Sequence, residues 1–180
     1  MKEVFPLAKP SSKAILVLLL LGIAVPVGTL FTALAVSKSS VNHTVIGLIL
    51  FAAILPSAII FWTSFARRTV EFDGHELMVK TAFYTAKISR DSILPEMAIV
   101  NAAHFPGGGI ATRTNGIGLP GYQVGWFSLK NGRTVFLAYT GGNALFIPTN
   151  TSFDLLLDAN DANALLEKLK STAKNRGGQD

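Results

Sequence analysis

Two long apolar runs without a single charge, 14–36 and 45–65, dominate the first third of the chain, and nothing comparable follows them. As helices they would reach about 34 and 31 Å, enough to cross a hydrocarbon core of about 30 Å. Only eight residues, 37–44, separate them, with Lys38 as their one charge, so the pattern predicts an antiparallel transmembrane hairpin over 14–66. Lys2, Lys9 and Lys13 precede it and Arg67 and Arg68 follow it. The positive-inside bias then places the N-terminal tail (1–13) and everything beyond the hairpin in the cytoplasm, as in a multi-pass protein of a bacterial inner membrane. A cleaved signal peptide ending near Ala33-Leu34-Ala35 is the competing reading of the first run, and it leaves the second span in place.

Beyond residue 68 the pattern shortens to strand-like segments. Runs 69–72 and 76–81 flank Asp73-Gly74-His75, a hairpin signal, and 84–89, 93–95 and 97–102 read as further strands. The glycines of 106–121 predict a long loop. Runs 122–129 and 134–139 flank Asn131-Gly132, which predicts a type I′ turn. That turn sets Ser128 opposite Val135, Phe127 opposite Phe136, Trp126 opposite Leu137 and Val124 opposite Tyr139. Both faces of this hairpin are apolar, so each requires a cover. Strands at 144–147 and 153–156 follow. Ala162, Leu165, Leu166 and Leu169 then recur at helical spacing, with Asp158 or Asn160 able to cap the helix.

Composition sharpens the division. Hydrophobic residues make up 49% of the chain and the net charge is +5, yet from residue 69 onward ten basic side chains face ten acidic ones. That balance removes the long-range attraction a phosphate-binding surface uses, so nucleic acid is not an expected partner. Cysteine is absent, which excludes disulfides, thiol nucleophiles and thiolate metal sites. Residues 67–173 suffice for one small domain, with 174–180 a disordered tail.

Candidate chemistry is sparse. Residues 116–121 match G-x-G-x-x-G, but a strand pattern follows and no Asp or Glu occurs between Gly121 and Asp154, so no dinucleotide is expected. Gly107-Gly108-Gly109 lacks the Lys and hydroxyl of a phosphate loop. His43, His75 and His104 are too scattered for a metal site. No nucleophile elbow or zinc-protease helix motif occurs. No catalytic, cofactor-binding or metal-ligating residue is therefore expected, and no cofactor. Arg113 is the only charged residue between Glu96 and Lys130. It could receive an anionic group of a partner, hold its loop through carbonyls, or meet a carboxylate brought close by the fold. Tyr122, Trp126 and Tyr139 form the candidate contact surface, with full burial in the core as the alternative. Ala24, Gly28 and Thr32 recur at four-residue spacing, which suits packing within the hairpin or a homo-oligomer.

The segment GIGLPGYQVGWFSLKNGR (116–133), followed by LFIPT (145–149), resembles bacterial pleckstrin-homology-like families that carry a membrane-anchored domain. The resemblance covers roughly 67–169. It implies a membrane-anchored α+β chain in which the hairpin precedes a β-sandwich or barrel of about seven strands with a C-terminal capping helix. By that resemblance the chain is a non-enzymatic protein-binding or scaffolding module, held by the lipid bilayer and serving an unidentified protein partner. Two other readings stand beside it: an immunity-type or inhibitory membrane protein that caps a membrane-associated partner, and a non-catalytic subunit of a membrane enzyme.

Overall fold

A computed structural model of the chain describes residues 2–36, 43–66, 68–101 and 106–174. Ten strands form two sheets, where about seven strands were expected. The first sheet has the order β1-β2-β3-β4, from Glu3–Pro6, Thr69–Phe72, Glu76–Lys80 and Thr85–Ser89, with every pair antiparallel. Its alternation is regular, and Val70, Phe72, Leu77, Val79, Ala86 and Ile88 all point into the core. The β2–β3 hairpin forms where the turn signal put it. The Asp73 carboxylate accepts the N–H groups of His75 (2.9 Å) and Glu76 (2.8 Å), and Gly74 takes φ +95°.

The second sheet has the order β5-β9-β10-β8-β7-β6. Its strands are β5 (Ala98–Val100), β6 (Ile110–Leu119), β7 (Tyr122–Leu129), β8 (Thr134–Tyr139), β9 (Ala144–Ile147) and β10 (Phe153–Leu157). β8 and β10 run parallel, and the other pairs are antiparallel. Phe136, Ala138, Leu145, Ile147, Leu155 and Leu157 face the first sheet, and the core between the sheets is closed by Leu165 and Leu169 of α4 (Ala162–Lys174). Asp161, rather than Asp158 or Asn160, caps that helix by accepting the Ala164 N–H at 2.9 Å.

Three expectations about the strands are corrected. First, the supposed tail 1–13 contains β1, which pairs with β2, and Leu7 is buried where it bridges Ala159. A four-residue run that follows Lys2 and ends in a proline carries no strand signal of its own and becomes a strand only on the template of β2. Second, most of the glycine-rich loop is β6, a ten-residue strand with irregularities at Ile110/Thr112 and Arg113/Asn115. Third, the β7–β8 register is one residue off. Ser128 pairs with Thr134, Phe127 with Val135, Trp126 with Phe136 and Val124 with Ala138. The Leu129 carbonyl accepts the Gly132 N–H (3.0 Å), the Leu129 N–H donates to the Arg133 carbonyl (2.8 Å), and only Gly132 has positive φ, at +84°. The loop therefore holds three residues, with a left-handed glycine closing it, in place of a two-residue I′ turn. Tertiary bonds select it: the N–H groups of Lys130 and Asn131 donate to the carbonyls of Gly109 (3.0 Å) and Gly107 (3.2 Å). The slip moves Trp126 onto the face of Phe136 and leaves Phe127 with Val135 and Leu137. Both faces stay apolar.

The expected membrane hairpin is also corrected. The first run is divided into α1 (Ser12–Leu19), a π-helical segment (Leu20–Ala24) and α2 (Val25–Val36), and the second forms α3 (His43–Ala66). Among the described residues no helix is long and apolar enough to cross a membrane. The fold class with its transmembrane hairpin, the multi-pass inner-membrane localisation and the bilayer anchor are withdrawn on that finding. Of the expected connection 37–44, His43 and Thr44 begin α3, and of the expected tail 174–180, Lys174 ends α4; residues 37–42, Arg67 and 175–180 lie outside the described residues. Leu16, Phe31, Leu48, Phe51 and Trp62 are exposed, Phe31 and Trp62 at 74%, so these helices present apolar faces that the described part of the chain does not cover.

Candidate functional site

The β6–β7 connection is a two-residue turn, Pro120-Gly121, between the paired Leu119 and Tyr122, with φ +72° at Gly121. Proline pre-sets the first turn position and glycine alone takes the second without strain. The base of α1 docks here. The Ser11 N–H donates to the Gly121 carbonyl (3.4 Å), the Ser11 hydroxyl caps α1 by accepting the Ala14 N–H (3.2 Å), and Ala14 is buried against Tyr122 and Val124. A Cβ on Gly121 would lie 2.1 Å from the Ser11 hydroxyl oxygen, so this junction fits only glycine without movement. Beside it β8 ends in Tyr139, whose hydroxyl donates to the Gly142 carbonyl at 3.1 Å and so holds the following glycine turn.

Between these two ends lies a cleft of about 340 Å³, walled by Leu119, Pro120, Gly121 and Gln123 on one side and Tyr139 and Gly141 on the other. Its lining is mostly apolar with few polar groups, the usual balance of a recognition pocket. The Arg113 side chain reaches the rim: a Cβ on Gly118, which also lines the cleft, would stand 3.9 Å from the Arg113 Cδ. Arg113 is exposed, and no described residue holds its guanidinium by a hydrogen bond or ion pair.

Behind the cleft is a buried polar group that joins Arg68, Tyr122, Thr140 and Asp158. The Arg68 guanidinium sits 5.1 Å from the centre of the Tyr122 ring, a cation–π contact. Arg68 is only 6% exposed, and its side-chain nitrogens make no hydrogen bond. Burial pushes its pKa down, opposed by Tyr122 and Asp158. Burial likewise pushes the Asp158 carboxyl up, opposed by the Thr140 hydroxyl and N–H (3.2 Å), both of which donate to it, and by the Arg68 charge. The folded state thus holds the Asp158 proton to higher pH than the unfolded chain does. The stability this contributes is complete below the ordinary aspartate value, 3.8, and is lost as pH rises through the folded value. Asp158→Asn is expected to flatten that fall in a series of urea titrations from pH 4 upward; a fall of unchanged slope would assign it to another group.

Of the sequence candidates, the structure brings Arg113, Tyr122 and Tyr139 to this end of the sheet. Trp126 is not among them. It lies half-buried further along β7, on the same face as Tyr122 and the opposite one to Tyr139, edge-on to Phe136 (5.0 Å between centroids) and Phe153 (4.8 Å). One of the three aromatics was expected to stay partly exposed: Trp126 does, while Tyr122 is fully buried and Tyr139 is 9% exposed. Sequence reasoning missed Arg68, read as a collar charge, although Arg68, Val70 and Phe72 share the inward parity of β2. It also missed Asp158, read as a helix cap. Among the described residues no cluster of His, Cys, Asp and Glu could hold a metal ion. Comparison of the chain with protein-family models, with curated proteins and with solved structures finds no match, so the pleckstrin-homology-like resemblance gains no support from them.

Proposed function

We propose that the chain is a protein-binding module whose recognition end is the cleft between the β6–β7 turn and the end of β8, with no reaction of its own. The observation that carries this reading is the juxtaposition of an open, mostly apolar cleft with an exposed and unpaired arginine at its rim. An apolar recess next to one fixed charge offers both contact area and orientation to a partner segment. Fold alone would not support it.

Site-specific photocrosslinking tests the proposal in cells that natively make the chain. A benzophenone amino acid in place of Gln123, which lines the cleft, is expected to give a discrete protein adduct on irradiation. The same group in place of Lys87, exposed on β4 of the other sheet, is expected to give none. Adducts at neither position, or equally at both, would contradict the reading.

A further inference from the structure

We infer that β6 takes up an extended peptide segment as an added strand along 115–119, with an acidic side chain of that segment against Arg113; this deepens the protein-binding reading and rests on it. Among the described residues β6 is the last strand of its sheet, with β7 on one side and no strand on the other. An edge strand directs every second pair of N–H and C=O groups outward, where another extended chain can bond them. Side chains on alternate positions of such a segment would then read the neighbouring surface.

Edges are commonly guarded by charge, proline or shortness. Three of the four edges here are guarded. β1 carries Glu3, paired with Lys168, and ends in Pro6; β4 carries Lys87, paired with Glu76; and β5 has three residues. β6 has ten residues, no Lys, Pro, Asp or Glu, and Arg113 as its single charge. Its two irregularities lie before Asn115, and from Asn115 opposite Trp126 to Leu119 opposite Tyr122 the ladder is unbroken. Those five positions make a continuous track that ends at the cleft.

Charge selects the occupant. The Arg113 side chain passes close to Gly118 and has no counter-ion among the described residues, so a peptide carboxylate near the cleft end of the track would complete it. A second copy of the chain is a poorer occupant, because its β6 carries no acid for Arg113 to meet and its bulges twist the remainder of the strand away.

The test uses the full chain and two acetylated, fluorescein-labelled hexapeptides of alternating Val and Thr, one with a central Glu and the other with Lys in its place. Anisotropy titrations up to about 1 mM peptide and residue-resolved amide exchange are read together. The Glu peptide is expected to bind and to slow exchange within 115–119. Arg113→Gln should abolish the preference between peptides, and Arg113→Glu should reverse it by about tenfold or more. Arg113 is exposed, so both variants should keep the circular dichroism of the parent. No binding, protection confined to other residues, or protection of 115–119 that rises with protein concentration in the absence of peptide would overturn the inference. If the crosslink at position 123 persists in that case, strand addition has failed while the protein-binding reading stands.

Discussion

Replacing Gly125 by Ala should cost about 3–5 kcal/mol of folding free energy, the sum of a strained backbone and a collision that side-chain rotation cannot relieve. Gly125 holds φ +112°, where an L side chain is disfavoured. A Cβ there would also lie 2.6 Å from both the Asn115 carbonyl oxygen and the Gly116 Cα, backbone atoms of the strand opposite. Gly116 and Gly125 face each other across the ladder, and the Phe127 ring leans over Gly116, so the two strands approach closely because both positions lack a side chain. Gly132→Ala is the control. It also has positive φ, at +84°, but nothing lies within 4 Å of its added Cβ, so about 1 kcal/mol is expected. Urea unfolding followed by circular dichroism measures both. Equal losses would show that strain alone, and not the close approach of β6 to β7, sets the cost.

Asp154→Ala should cost about 2–3 kcal/mol. Asp154 is buried and accepts two bonds from Arg133, Nη2 at 2.6 Å and Nε at 3.2 Å, while the Thr149 N–H donates to the same carboxylate at 2.9 Å. Arg133 donates further to the carbonyls of Thr149 (3.0 Å) and Thr151 (3.1 Å), so one ion pair ties the start of β8 to the β9–β10 connection. Removing one partner of a buried pair usually costs 3–5 kcal/mol. The Arg133 side chain is 39% exposed, and solvent screening lowers the figure. Asp154→Asn, which keeps an acceptor for Thr149, is expected to cost about half as much in the same titration. An Asn variant as unstable as the Ala variant would assign the loss to charge alone.

The elements whose burial follows local chemistry were legible in the sequence. The Asp73-Gly74-His75 hairpin, β9, β10 and the apolar stripe of α4 form where pattern placed them, because each is fixed by a turn residue or by a periodic apolar face. What required a distant partner was not legible. β1 becomes a strand only against β2, and β6 becomes one in spite of its glycines because β7 templates it. The β7–β8 register turned on whether Asn131 joined Gly132 at positive φ. It does not, because the loop is held by bonds to Gly107 and Gly109 that no local pattern shows. The apolar runs 14–36 and 45–65 read correctly as helix and incorrectly as a membrane-crossing pair. At the candidate site, Arg113 stood out by its isolation. Arg68 and Asp158 did not, because a charge beside a strand and one before a helix look like ordinary surface residues until the fold buries both.

Residue-resolved amide hydrogen exchange of the free chain tests most directly the claim that β6 is an open edge leading to the recognition cleft. Amides that β6 directs toward β7 should exchange slowly, and the alternate ones within 115–119 should exchange at rates close to those of an unprotected chain. Protection of every amide along 115–119 at low protein concentration would contradict the account, because it would mean that the edge is already covered.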